Sequence, residues 1–299
     1  PLPPDIDTVF HLAGATKASK SADYYTVNQK GTASLFGALA AGGIKARVVL
    51  LSSLAAAGPA ASGRPVLESD PPRPVSHYGK SKLEGEREAL RFKDRFPLAI
   101  LRVGAVYGPR DPDFLEYFKI IKRGLLPRVG AAAPPLSLCH VADLVRAMGL
   151  AAGAGLDSGA VFNIADPRPV SWDEVGRAAA EALGRRVRPV RVPRALAWAG
   201  ARASHLAGRL TRRPGIYGPD KYRDMTQEGW TQDVGKAEAV LGFRTAVGAA
   251  WTSSTYCRKT TRIAWRYRTS MLRRRQRWTA SSWRWPVVSI VRSLQTTII

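Results

Sequence analysis

The feature that most constrains this chain is a repeating unit, a short and nearly continuous apolar run followed by a stretch of helical length. Three such runs stand out: "DTVFHLAG", "ARVVLLSS" and "LAILRVGAVYG". Runs that are apolar throughout suit strands buried on both faces of a sheet. Between them lie "YYTVNQKGTASLFGALAAGG", closing on the helix-stopping Gly42 and Gly43, and "SHYGKSKLEGEREALRFKDRF", whose charges fall mostly on one face. This strand and helix repetition from Asp5 to Asp143 predicts βαβ units around a parallel sheet. The Gly- and Pro-rich "AAAGPAASGRPVLESDPPRPV" is a long connection just after a strand, where α/β proteins place ligand loops.

A second, smaller and mostly helical lobe is expected from Ala160 to Phe243. It opens with "AVFNIADPRPVSWDEVGRAAAEALG", a strand and then a helix, with Ser171 as N-cap and Glu174 completing a capping box. "VPRALAWAGARASHLAGRL" is amphipathic, and "WTQDVGKAEAVLGF" ends in a short helix stopped at Gly242. Residues 244–299 differ in kind. They carry twelve Arg or Lys, no acid and five of the eight tryptophans, whereas folded surfaces mix both signs. This basic tail is left without assigned structure, and a shifted reading frame is the expected source of its composition. It supplies more than half of the net charge of +23, so the charge is no sign of a nucleic-acid-binding face and nucleic acid is not an expected partner.

No run approaches the roughly 18 apolar residues of a membrane-spanning helix, and no membrane partner is expected. Cys139 and Cys257 have no metal-ligand spacing, so neither a metal site nor a disulfide framework is expected, and a reducing cytoplasm is the default compartment.

The residues that can carry chemistry are Ser52 and Ser53 at the end of an apolar run and, one connection later, Tyr78 and Lys82 in "YGKSK". Residues four apart share a helix face, and an ammonium beside a phenol favours the phenolate. Lys82 is therefore expected to lower the Tyr78 pKa toward that of a general base, with Ser53 holding the reacting oxygen beside it. The spacing alone is common on solvated helices, so its weight comes from the segments around it.

Those segments are "VFHLAG", "VNQKGT", "LLSSLAAAG", "YGKSK", "LRVGAVYGP", "LCHVADL" and "WTQDVGKAEAVLGF". In this order they resemble the motif series of the extended short-chain dehydrogenases/reductases, the family of nucleotide-sugar epimerases and dehydratases. The resemblance covers about Asp5 to Phe243 and implies a catalytic set of Ser53, Tyr78 and Lys82. It also implies NAD or NADP as cofactor, with NAD favoured, held in part by Leu12, Ala13, Gly14, Asn28, Tyr78, Lys82 and Val103. Gly14 is also readable, with less weight, as a plain strand-end turn glycine, and Asn28, taken alone, as a helix cap. Val103 stands where the family usually has proline. His140 and Asp143 are similar to a family segment in which Ala142 replaces an aspartate, so His140 is open to a packing role or to substrate contact. Arg110 is open to an anion contact or to a solvated loop position. Trp230, Asp233 and Lys236 match a signature that packs the substrate lobe.

The resemblance implies an α/β fold: a partial doubly wound, Rossmann-like parallel sheet lacking its first strands. Residues 1–159 form the truncated dinucleotide-binding domain and residues 160–243 the substrate lobe. No GxGxxG-type turn precedes "VFHLAG", so "DTVFHLAG" is expected to lie at an unpaired sheet edge, with poor dinucleotide binding and marginal stability for these residues alone. The implied activity is an NAD(P)-dependent epimerase/dehydratase-type oxidation and reduction of a small molecule, a nucleotide-sugar, using the Ser-Tyr-Lys set and impaired in these residues. Two alternatives stay open, an oxidoreductase similar to 3β-hydroxysteroid dehydrogenase and a non-catalytic dinucleotide sensor. A homodimer through the helix carrying Tyr78 and its predecessor is implied by resemblance only.

Overall fold

A computed structural model describes residues 6–61, 63–109, 111–129, 134–211 and 217–247. The chain runs through β1 (Thr8–His11), α1 (Ser21–Tyr25), a π-helical turn (Thr26–Lys30), α2 (Gly31–Ala41), β2 (Arg47–Ser53), α3 (Leu54–Ala57) and α4 (His77–Leu90). It continues through β3 (Leu98–Val103), β4 (Ala105–Tyr107), α5 (Pro112–Lys122), β5 (Leu125–Val129), β6 (Pro135–Leu136), β7 (Leu138–His140) and α6 (Val141–Gly153). The remaining elements are β8 (Ala160–Ile164), β9 (Val170–Ser171), α7 (Trp172–Ala182), β10 (Arg188–Val192), α8 (Arg194–Thr211), α9 (Pro219–Met225) and α10 (Gly235–Leu241).

The principal sheet has the order β1-β2-β3-β8, with every pairing parallel. Its central strands are buried on both faces, which is why they are mostly apolar, with Arg102 of β3 the buried exception. Val48, Leu50, Leu98 and Ile100 pack with Phe36 and Leu39 of α2 on one side. Val49, Leu101, Val103, Phe162 and Ile164 pack with Leu144 and Met148 of α6 and with Leu241 and Phe243 on the other. Among the described residues β1 is paired on one side only, so it forms the sheet edge.

Local signals account for many of the boundaries. Ser76 caps α4 by accepting from the Gly79 N–H at 3.1 Å. The expected capping box of α7 forms, with Glu174 N–H donating to Ser171 Oγ at 3.2 Å and Ser171 N–H to Glu174 Oε2 at 2.7 Å. α10 ends on Gly242 in the left-handed conformation, φ 62°.

Two expectations differ from what is found. The segment "LAILRVGAVYG" is two strands, β3 and β4, which join different sheets. The break falls at Gly104, where a side chain would collide with the backbone carbonyl of Ser137. The cores also fail to divide at residue 160. β8 is the fourth strand of the principal sheet, while Tyr107, Phe114, Phe118, Ile121 and Leu126 pack with Val175 and Ala179 of α7. The two packing units therefore interleave along the chain, as happens when strand crossovers feed both. The basic segment expected to lack structure falls, from residue 248 onward, outside the described residues, as do Arg110 and Cys257.

Candidate active site

The site lies at the carboxyl ends of β1 and β2, where the backbone leaves a parallel sheet and loops converge. Ser53 ends β2 and caps α3, its hydroxyl accepting from Ala55 N–H at 3.2 Å. α4 then returns directly over α3. A side chain at position 79 would overlap the Ala55 carbonyl, so glycine in "YGKSK" lets Tyr78 come close to Ser53. The Ser53 hydroxyl lies near the Tyr78 phenol. Burial pushes the phenol above its ordinary value, and the neighbouring Ser53 works in the opposite direction.

Here the expected effect of Lys82 on Tyr78 is not what dominates. The Lys82 ammonium is itself desolvated and falls to about 8, with Glu86 pulling it back up. Its Nζ donates to the Leu51 carbonyl at 2.6 Å and also bears on His11, which burial and this charge hold at about 4. His11 is therefore a neutral ring at physiological pH, hydrogen-bonded through Nε2 to Thr32 Oγ1 at 2.9 Å.

Asn28 joins the strand β1 side of the site to α4. It lies in the π-helical turn, 3% exposed, where its Oδ1 accepts from Ala15 N–H at 2.8 Å. Its Nδ2 donates to the Ala15 carbonyl at 3.1 Å and to Ser81 Oγ at 2.8 Å. The Asn28 backbone carbonyl accepts the Thr32 hydroxyl at 2.7 Å. Gly14 sits against this group: a Cβ there would stand 3.2 Å from Asn28 Oδ1 and 3.6 Å from Lys82 Nζ. Leu12 is 40% exposed and Ala13 is exposed beside it. Val103, at the end of β3 and in register with Ser53, turns its side chain into the core.

The sequence-predicted residues Ser53, Tyr78, Lys82, Gly14 and Asn28 are thus brought together. His140 is not free for solvent or substrate: it is 6% exposed, caps α6 by accepting from Ala142 N–H at 3.2 Å, and lies with its ring 5.2 Å from that of Tyr107. Asp143 is fully buried and accepts from the N–H groups of Ala246 and Val247 at 2.9 and 3.1 Å, so it anchors the chain after α10. Trp230 donates to the Asp224 carbonyl at 2.7 Å, and Asp233 Oδ1 accepts from Gly235 N–H at 2.9 Å. Lys236 donates to the Val161 carbonyl at 2.8 Å, so all three act in packing.

Sequence reasoning missed two sets of residues. Beneath the site, Glu86 is 2% exposed and takes a bidentate pair of bonds from Arg102, at 3.1 and 2.7 Å, together with the Ser52 hydroxyl. Its place four residues after Lys82 was a usable signal. Above the site, α9 reaches the start of α4. Asp220 accepts from the backbone N–H of His77 at 2.8 Å and of Tyr78 at 2.9 Å. Asp224 lies near Ser76, and burial lifts its carboxyl to about 6. Nothing local in the sequence points to that contact.

Among the described residues no group of three or more His, Cys, Asp or Glu side chains is placed to hold a metal. The arrangement fits the nicotinamide-ribose end of a dinucleotide instead. The backbone at Gly14 passes close to the Lys82 ammonium, a Cβ there standing 3.6 Å from Nζ, and the half-buried Tyr78 lies one helical turn before that lysine.

The parallel sheet with helices packed on both faces is a Rossmann-like α/β fold. The match of residues 3–165 to the NAD dependent epimerase/dehydratase family shows that the chain belongs to that family. Among curated relatives, a ceramide reductase of Caulobacter vibrioides (strain NA1000 / CB15N) is 31% identical over 228 residues, which is 75% of this chain and 65% of the relative. The N-acetyl-alpha-D-glucosaminyl-diphospho-ditrans,octacis-undecaprenol 4-epimerase of Escherichia coli O157:H7 is 25% identical over 217 residues, 69% of this chain and 63% of the relative. The chain thus spans a little under two thirds of the length of each of these two relatives. Of the solved structures, MoeE5 in complex with UDP-glucuronic acid and NAD superposes with a TM-score of 0.67 at 29% identity, over 89% of this chain and 80% of MoeE5.

Proposed function

We propose that this chain carries the catalytic centre of an NAD(P)-dependent oxidoreductase of the epimerase/dehydratase kind, acting at a carbinol carbon of a nucleotide-sugar. The observation that supports it is the convergence of Ser53, Tyr78, Lys82, Asn28 and Gly14 at the strand ends. When bound, the nicotinamide supplies a hydride acceptor or donor. Tyr78 holds the proton exchanged with the substrate hydroxyl, and Ser53 fixes that oxygen beside the phenol. Lys82 and the open backbone at Gly14 would meet the nicotinamide ribose, with Asn28 fixing the loop that presents them. MoeE5, solved with a UDP-sugar and NAD, supports both the substrate class and the choice of NAD. In the full-length protein, Tyr78→Phe is expected to lower kcat by about 10²–10⁴ while NADH binding, read by fluorescence, is kept. Turnover unchanged by that substitution would overturn the reading in favour of a non-catalytic dinucleotide sensor.

A second reading replaces the sugar by an apolar alcohol or ketone, as in a 3β-hydroxysteroid dehydrogenase. What favours it is the ceramide reductase relative. Turnover of a long-chain ketone or steroid without turnover of UDP-hexoses would decide for it. A homodimer through α2 and α4 is proposed alongside, to be read from the sedimentation mass.

A further inference from the structure

The most unusual surface outside the residues of the candidate site is on β10 and α8. Between Glu181 and Asp220 the sequence has nine arginines and no acid. Six of them, Arg185, Arg186, Arg188, Arg191, Arg194 and Arg202, are exposed, and none makes an ion pair among the described residues. α8 turns Ala197 and Ala201 inward, while Leu196, Ala199, Ala203 and Leu206 are exposed at spacings of three and four. That spacing is one stripe of a helix, on the side where a water-facing helix would carry charge. Trp198 borders the stripe, its ring centroid 5.2 Å from that of Tyr222 and 5.8 Å from the Arg202 guanidinium carbon.

An apolar stripe with Arg194, Arg202 and an aromatic ring on the same helix, preceded in sequence by the arginines of β10, is the pattern of a helix lying in the plane of a bilayer interface. We propose that α8 and β10 dock this protein on an anionic lipid surface. The stripe enters the boundary between headgroups and acyl chains, and the arginines meet lipid phosphates. Charge decides between this and the other occupants. A second copy set face to face on α8 would bring arginines against arginines, with no acid in the segment to neutralise them. A nucleic acid would satisfy the arginines and leave the leucines in water. The proposal concerns where the protein works, and it stands whether or not the catalytic reading does.

The test is sedimentation of the full chain with vesicles of 30% phosphatidylglycerol in phosphatidylcholine. Binding is expected, falling with salt and weak on phosphatidylcholine alone. Leu196→Glu with Leu206→Glu should weaken it about a hundredfold, roughly tenfold for each leucine withdrawn from the interface. Arg188, Arg191 and Arg194 changed together to serine should weaken binding to the anionic vesicles about a hundredfold, some fivefold for each charge. No binding to anionic vesicles overturns the proposal. So does binding that the double leucine variant retains in full, which would assign it to the basic segment 244–299. Loss of a concentration-dependent dimer in that variant, without loss of lipid binding, makes a second copy the occupant and also overturns it. Should the double variant melt early, an environment-sensitive dye on Ala203→Cys, in a Cys257→Ser background, gives the same answer. A blue shift on anionic vesicles supports docking through α8, and an unchanged spectrum refutes it.

Discussion

Replacing Asp220 by alanine tests how α9 is fastened to the helix that carries Tyr78. The carboxylate accepts two backbone N–H groups of the first turn of α4, at 2.8 and 2.9 Å, which have no partner inside the helix. A hydrogen bond to a charged acceptor contributes roughly 1.5–3 kcal/mol, a cap about 1 kcal/mol and a charge at a helix N-terminus about 0.3–1 kcal/mol. These figures describe the same two bonds and do not add. The Asp220 side chain is 17% exposed, so water replaces part of what is lost. Ser76 still holds the Gly79 N–H. The expected loss is about 2 kcal/mol, seen in urea titration as a lower midpoint at unchanged slope. Asp220→Asn keeps one carbonyl acceptor and should lose about half as much. Arg223 lies 3.9 Å from Asp220 and is 51% exposed, so Arg223→Ala should cost under about 0.5 kcal/mol. A loss below about 0.5 kcal/mol for Asp220→Ala would refute the capping argument.

Three other substitutions read separate parts of the structure. Gly85→Ala places a Cβ 2.5 Å from the Asn28 carbonyl and should destabilise by about 1–3 kcal/mol, whereas Gly37→Ala meets nothing within 4 Å and should stabilise by about 0.5–1 kcal/mol; equal signs in thermal melts would refute the packing of α4 on the π-helical turn. Glu86→Gln leaves the Arg102 guanidinium buried without its counter-charge and should cost about 3–5 kcal/mol in chemical denaturation, a loss under about 1 kcal/mol arguing that water reaches the pair. Asp224 has a folded value of about 6 against 3.8 for a free carboxyl, so the folded chain keeps a proton that the unfolded chain has released, and its contribution is lost as pH rises from 3.8 through 6. Asp224→Asn should therefore raise stability at pH 7.5 by up to about 3 kcal/mol and give no gain below pH 3.8; a gain independent of pH would refute the burial of that carboxyl.

How much of this was legible in the sequence depended on distance along the chain. β2 and β3 were legible because burial on both faces leaves them mostly apolar, and the α7 cap because Ser171 and Glu174 are three residues apart. That Gly14, Asn28 and Lys82 lie close together was expected from their motifs. The division at Gly104 was not, because its cause is the carbonyl of Ser137 in another strand. Nor was the Asp220 contact, which spans 142 residues to Tyr78 and leaves no local periodicity. Arg102 was hidden differently. One charge inside an apolar run reads as noise until Glu86 is found opposite it.

The two stripes of α4 explain why so much of the site depends on one helix. Tyr78, Lys82 and Glu86 follow one another at spacings of four, and Ser81 and Gly85 form the adjacent stripe. The second stripe sets position. Ser81 accepts from Asn28 Nδ2, and Gly85 lets the Asn28 carbonyl approach, so the helix is held against the same asparagine that fixes Ala15 beside Gly14. The first stripe sets charge. Glu86 is locked by Arg102 and Ser52 and raises the Lys82 pKa, while burial lowers it to about 8. The lysine thus stays largely protonated at neutral pH, and its charge together with burial keeps His11 neutral. A pair buried beneath the sheet ends therefore reaches the candidate site through one ammonium, and the spacing of four on α4 carries that influence.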